Sequence, residues 1–511
     1  MEFGGREELV LLAILAGITA LTALAPVLRV PYPILLVIGG LALGFIPGVP
    51  ELTLPPELVL VGVLPPLLYS AAFFTSLRDL RAKFRPIGQL AVGLVLATMV
   101  AVAVVAHYAT GLSWSASFVL GAVVAPTDPI AATAIARRLG VPRRVVTIVE
   151  GESLINDATA LVLYGTAVTA VVAGTFSPFE SSLEFVLSVV GGVAIGLAVG
   201  WAVALVRIRL DNIPAEILIS LLSGYLAYIP AESLGVSGVL AAVTIGIYLG
   251  WRSPELSTPA MRLQTFAVWE TLVFLVNALL FTLIGMQLRP ILDSLSGIST
   301  GELIADALIV VATVMAVRIV WVLARPQRYP FVVGWMGMRG AVSLAAALAL
   351  PLETDAGVPF PGRDLIIFLA FAVILGTLVF QGLTLPKLIR WLRFEDDDSE
   401  AMEDTKARIH AAEAAITRLD ELMDEDWVRP ETAERLRGLY DFRRSRFLAR
   451  VDGEDDGEIE RQSADFQRLR HELLEAERAA VVGLRRDGRI SDEVMRRVER
   501  DLDLEDSRLD L

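Results

Sequence analysis

The sequence predicts an all-α polytopic membrane protein with a soluble helical tail, and three observations predict it. Of the 511 residues, 55% are hydrophobic. Thirteen apolar runs are each near the length that a hydrocarbon core of about 30 Å requires. Most of the charge lies in short connecting segments and in residues 395–511, with a few charged residues inside the runs.

The runs cover roughly 8–28, 32–48, 55–76, 86–109, 113–136, 145–173, 182–206, 212–231, 235–251, 264–287, 302–324, 331–352 and 363–391. Alternate connections divide the charge unequally. One set carries 15 basic residues, among them Arg78, Arg81, Arg137, Arg138, Arg207 and Arg325, against Arg6, Arg289 and Arg363 in the other set. The positive-inside rule places the first set in the cytoplasm. An odd number of spans then leaves the N-terminus outside and the C-terminus in the cytoplasm. The opening Met1–Glu8 has no basic region or small-residue cleavage site, so the first span is expected to be retained.

Residues 395–511 hold 21 Lys/Arg and 35 Asp/Glu, which accounts for the whole net charge of −14. That balance suits neither nucleic acid nor an anionic lipid surface as a partner of the tail. The domain boundary is therefore set at 394/395, a membrane region followed by an acidic cytoplasmic helical domain. Ile409, Ala412, Ile416, Leu419 and Met423 recur at helical spacing, as does a set from Phe466 to Leu474, predicting short amphipathic helices. Val451–Gly457 reads as a turn and lacks the 12-residue ligand spacing of a calcium loop. Cysteine is absent, which excludes disulfides and thiolate metal sites. No glycine-lysine phosphate loop appears, which argues against an ATP-driven pump.

Two spans carry helix breakers. The fifth contains Ala125-Pro126-Thr127-Asp128-Pro129, and the twelfth contains Gly334-Trp335-Met336-Gly337-Met338-Arg339-Gly340. Prolines remove amide donors and disfavour helix before them. Backbone freed in this way must line a polar cavity or be buried in protein. The two spans are seven apart and hence oppositely oriented. Paired broken helices in inverted halves point to the midplane site of a secondary transporter.

Span six places Asp157 inside the apolar run Val145–Val172. An ionised carboxylate at a span centre costs roughly 2.5–3.5 kcal/mol on insertion scales, so its presence implies a use. Ser153 and Asp157 are four apart and share a helical face, and Glu152 and Asn156 share the adjoining one. Hard cations such as Na⁺ take carboxylate, hydroxyl and carbonyl oxygens, and Thr127 with its unwound neighbours could complete such a cage. A carboxylate that holds either H⁺ or Na⁺, but not both, couples their opposite movements.

Arg318 lies in span eleven, about 9 Å from its cytoplasmic end, and is expected either to snorkel or to neutralise Glu152. Arg339 is expected to offset half-helix carbonyl ends or Asp128. Asn277 and Gln381 read as interhelical hydrogen-bonding groups. Glu216, Glu232 and Glu270 are placed near span ends, where solvation is cheap. His107, Trp114, Trp201, Trp251 and Trp391 fit the membrane interface.

Six segments, in order, carry a family resemblance: Leu64–Tyr69, Pro126–Pro129, Glu150–Ala158, Ser237–Ala241, Asn277–Gly285 and Gly337–Ser343. Across the membrane region the chain resembles the cation:proton antiporters, specifically bacterial Na⁺/H⁺ antiporters of the NhaP type and the eukaryotic sodium/proton exchangers. The resemblance implies a scaffold domain, a mobile core that moves like an elevator, and a homodimer in the bacterial cytoplasmic membrane. It implies that Asp157 carries the ion, with Ser153 and Thr127 as Na⁺ ligands, and that Asn156 marks electroneutral members. It also implies that Glu152 and Arg318 form a buried ion pair and that Asp128 and Arg339 lie near the helix crossing. Many relatives carry an acid where this chain has Ser70, so Ser70 is a possible ligand at a departed position. The expected activity is Na⁺ (or Li⁺)/H⁺ exchange with no catalysis and no cofactor beyond the transported ions. K⁺/H⁺ exchange and a non-transporting membrane sensor are the alternatives.

Overall fold

The computed structural model describes residues 5–28, 30–46, 58–174, 178–295, 297–325, 329–394, 399–452 and 458–506. The chain divides into two compact units, Met1–Asp396 and Asp397–Leu511. The first unit begins with α1 Gly5–Leu28, α2 Tyr32–Gly44, α3 Leu64–Phe73, α4 Phe84–Thr110, α5 Trp114–Val124, α6 Ile130–Arg138 and α7 Arg143–Val172. It continues through α8 Pro178–Arg207, α9 Ile213–Ser233, α10 Gly238–Leu256, α11 Pro259–Met286 and α12 Thr300–Leu323. It closes with α13 Pro330–Trp335, α14 Ala341–Leu348 and α15 Arg363–Leu392. Each expected span overlies one of these helices, except that spans five and twelve are each a pair of half-helices. Among the described residues, seven helical stretches are long and apolar enough to cross a membrane by length and composition.

The helices sort into two bundles. In the first, α2 crosses α11, and α10 packs on α3, α8 and α9. The α2–α11 crossing is close enough that a Cβ on Gly40 would overlap the Thr282 backbone, and one on Gly285 would overlap the Val37 backbone. In the second, α4 packs on α5 and α12, α5 on α7 and α15, and α14 on α15. The bundles meet where Leu154 and Ala158 of α7 pack with Leu64, Leu68, Val239 and Val243.

Proline explains one local irregularity. Pro66 has no amide to offer the Gly62 carbonyl one turn earlier, and Leu58–Val63 widens into a π-helical turn. The Tyr225 hydroxyl donates to that Gly62 carbonyl instead.

One pairing departs from the sequence expectation. Glu216 is not solvated at a span end but fully buried, and it accepts from Arg207, itself 2% exposed. The Arg207 Nε–Glu216 Oε1 distance is 2.8 Å, and the Ser257 hydroxyl donates to the same oxygen at 2.8 Å. The end of α8, the first turn of α9 and the residue after α10 converge there and exclude water. Glu232 and Glu270 are exposed, as are Trp201, Trp251 and Trp391.

In the second unit, α16 Ser399–Leu422 packs on α17 Pro430–Asp452, with Ile409, Ala412, Ala433 and Phe447 buried. Met423, expected on the apolar stripe, is 43% exposed. The following helices are α18 Glu458–Arg486 and α19 Asp492–Asp506. At 29 residues, α18 is far from short. The Phe466–Leu474 set divides: Leu474 is buried, whereas Phe466, Leu469 and Leu473 are exposed. The turn expected over Val451–Gly457 lies largely outside the described residues.

Candidate ion-binding site

The two half-helix pairs meet at a crossing where Asp128 N–H donates to the Met338 carbonyl at 2.8 Å. Each break exposes two kinds of helix end, with unpaired amides at N-termini and unpaired carbonyls at C-termini. Asp128 serves the first kind. Its Oδ1 accepts from Ile130 N–H at 2.9 Å, at the start of α6, and its carboxylate lies against Gly340, the residue just before α14. Arg339 serves the second kind. Its Nε donates to the Val124 carbonyl at 3.0 Å, where α5 ends, and its Nη1 to the Gly337 carbonyl just past α13. The two charges therefore do not pair with each other; of the two expectations for Arg339, the carbonyl ends apply. Gly340 has to lack a side chain here, since a Cβ would lie 2.6 Å from Asp128 Cγ.

Behind the crossing, Glu152 and Arg318 form a two-pronged ion pair, with Nη2–Oε2 at 2.9 Å and side chains no more than 1% exposed. Arg318 does not snorkel. Its Nε and Nη2 also reach the Val333 carbonyl at 3.2 and 2.9 Å. A Cβ at Gly337 would strike its guanidinium, 2.8 Å from Cζ, which explains the glycine.

A cavity of about 280 Å³ opens beside the crossing, with Thr127, Asp128, Ser153, Asp157, Asn277 and Ser343 as its inner polar lining. Arg137 and Glu150, paired at 2.6 Å and reaching solvent, line the same cavity. Ser153 Oγ donates to the Thr127 carbonyl at 2.7 Å, leaving its lone pairs free to face an ion. Asn156 Nδ2 donates to Thr127 Oγ1 at 2.7 Å, and that hydroxyl approaches Glu152 Oε1 at 3.5 Å. Asp157 Oδ1 is buried with no hydrogen-bond partner among the described residues.

Several expected residues fall elsewhere. Asn156 does not line the cavity and contacts it only through Thr127. Ser70 donates to the Leu67 carbonyl of its own helix at 2.9 Å and does not line the cavity, so it is no ligand here. Its small hydroxyl reaches only one turn back, whereas an acid at that position would extend further. Gln381, expected to bond between helices, is 1% exposed with both amide atoms unpaired among the described residues. Sequence reading treated Asn277 as helix glue and gave Ser343 no role, yet both line the cavity. The signal available was their place in the motif segments Asn277–Gly285 and Gly337–Ser343.

A family model described as sodium/hydrogen exchanger, transmembrane, matches residues 10–391. The chain belongs to the sodium/hydrogen exchanger family. An uncharacterized Na⁺/H⁺ exchanger of Mycobacterium tuberculosis is 38% identical, over 98% of this chain and 96% of its own. A Bacillus pumilus protein named as a sodium, potassium, lithium and rubidium/H⁺ antiporter is 31% identical, over 82% of this chain and 66% of its own. In fold, the chain is similar to the sodium proton antiporter MjNhaP1 of Methanocaldococcus jannaschii, with a TM-score of 0.63 at 20% identity. That match covers 77% of this chain and all of the other. Membership makes this exchanger a multi-pass membrane transporter of the cation/proton antiporter class and not an enzyme.

Proposed function

We propose that this exchanger moves one Na⁺ (or Li⁺) against one H⁺ by alternating access, with both ions competing for Asp157. The observation that carries the reading is the unpartnered Asp157 oxygen on a cavity lined by further oxygen donors. The stoichiometry follows from the other acids near it. Glu152 is neutralised by Arg318, Asp128 is committed to the amide that starts α6, and residue 156 is a neutral amide. One uncommitted carboxylate exchanges one proton for one monovalent cation and moves no net charge. Ser153 Oγ and oxygens of Thr127 are the Na⁺ ligands in this reading, and Asn156 orients Thr127. Asp128 and Arg339 hold the crossing electrically neutral while the site changes sides.

The α4–α7 and α12–α15 bundle acts as the mobile core, and the other bundle as the scaffold of a homodimer. The arginine-rich connections face the cytoplasm of a bacterial cell, so the Arg137–Glu150 mouth opens inward. Residues 1–394 form the antiporter domain, and 395–511 a cytoplasmic helical domain.

K⁺/H⁺ exchange is the second reading, favoured by the name of the Bacillus pumilus relative. A sensor that has lost transport would not need an unpartnered buried carboxylate on a cavity. Purified protein in liposomes separates these readings. Collapse of an imposed pH gradient by Na⁺ and not K⁺, at a rate independent of membrane voltage, supports the first. Collapse by K⁺ alone supports the second, and collapse by neither supports a sensor. Asp157→Asn should abolish exchange in a folded protein, and retained exchange would reject the site.

A further inference from the structure

The two bundles leave a second cleft between α1–α2 on one side and α6 and α15 on the other. It encloses about 460 Å³ and is walled by Pro26, Val30, Pro31, Ile135, Leu139 and Pro386 among others. The wall is almost wholly apolar. Its only charged lining residues, among those described, are Arg138 and Arg390. Both are exposed, and neither has a carboxylate partner among the described residues. Arg390 Nε is taken by the Pro386 carbonyl at 3.1 Å, which leaves its two Nη nitrogens uncommitted. The neighbouring Trp391 is 72% exposed, as befits a residue at headgroup level.

An apolar cleft of this size offers water few polar partners, whereas a hydrocarbon chain gains by burial there. Two guanidinium groups at its rim, with no acid beside them among the described lining residues, match a negatively charged phosphodiester. We propose that the cleft binds an anionic phospholipid, with an acyl chain between the bundles and the phosphate held by Arg138 and Arg390.

The position links the site to transport. Arg138 ends α6, the half-helix whose first amide is held by Asp128. Tyr32, at the start of α2, lines the opposite wall of the same cleft. A lipid here touches both bundles beside the crossing, so occupancy changes the exchange rate; that half rests on the exchange reading, and binding does not.

Native mass spectrometry of the delipidated full chain, titrated with phosphatidylglycerol or phosphatidylcholine, tests the binding directly. Phosphatidylglycerol should bind more tightly than phosphatidylcholine, and added inorganic phosphate should not displace it. Each basic residue near an anionic headgroup is worth roughly fivefold in affinity. Arg138→Gln with Arg390→Gln should therefore weaken phosphatidylglycerol roughly 25-fold and leave phosphatidylcholine unchanged. Ala134→Trp, at an exposed position on the cleft wall, should exclude both lipids without altering charge. Unchanged phosphatidylglycerol binding in either variant, or full displacement by inorganic phosphate, would overturn the proposal. In liposomes, wild-type exchange should depend on the phosphatidylglycerol fraction, and exchange by the double variant should not. Failure of that arm alone, with binding confirmed, would remove the coupling to transport and leave the lipid site standing.

Discussion

Glu152 and Arg318 stand 166 residues apart in the chain and meet as a buried, two-pronged ion pair. The pairing removes from competition the acid nearest in sequence to Asp157. Breaking such a pair by deleting one partner strands a charge and costs about 3–5 kcal/mol, whereas replacing both with apolar groups costs far less. Glu152→Gln and Arg318→Met should each lower the heat-unfolding midpoint in detergent markedly, and the double variant should recover at least half of the loss. Additive losses would mean that the two side chains act independently.

At the crossing, Arg339 donates to the Val124 and Gly337 carbonyls, at the ends of two half-helices. Arg339→Gln should leave the protein folded, by size exclusion and circular dichroism, but slow liposome exchange at least roughly tenfold, the loss of one strong charge-assisted contact. Exchange at the wild-type rate would show that the carbonyl ends need no compensating charge.

The Arg207–Glu216 pair lies away from the ion cavity and lines none of it. Arg207→Met should therefore cost stability on the same scale of about 3–5 kcal/mol and leave the KM for Na⁺ unchanged. A shifted KM with normal stability would assign the pair to transport.

In the second unit, α18 and α19 are joined by Arg470–Glu505 at 2.5 Å, His471–Asp506 at 3.1 Å and Arg478 to Asp503 and Asp506 at 2.8 and 2.9 Å. The Asp506 hydrogen bond raises the His471 pKa above 6.5. The same bond, followed by that of Arg478, lowers the Asp506 pKa below 3.8, so Asp506 stays charged near neutrality. A raised histidine contributes stability fully below 6.5 and loses it as pH climbs through the higher folded value. Hydrogen exchange of residues 492–506, corrected for intrinsic rates, should accelerate from pH 6 to pH 8 in the full chain. His471→Ala should flatten that dependence; an identical pH response in the variant would exclude the histidine.

The parts of this architecture written in local patterns were legible in the sequence. Apolar runs marked the spans, prolines and glycines marked both breaks, and the i, i+4 spacing of Ser153 and Asp157 put both on the face that lines the cavity. Glu216 was misread because position along a helix says nothing of what folds over its end; Ser257, 41 residues away, helps to cover it. Asn277 was misread because a buried amide has one appearance in sequence whether it joins helices or faces a cavity. Ser70 entered the reading through the family pattern, but its hydroxyl is satisfied within its own turn. The split of Phe466 from Leu474 follows from where α19 lies, which the repeat in α18 does not encode.

Competition of two ions for one carboxylate is the core of the account, and the pH dependence of cation affinity tests it most directly. Apparent KM for Na⁺, measured in liposomes across a series of pH values, should rise about tenfold per unit on the acid side, as one-proton competition requires, with maximal rate unchanged at saturating Na⁺. A KM that stays constant while the maximal rate falls would contradict it, because H⁺ and Na⁺ would then occupy different groups.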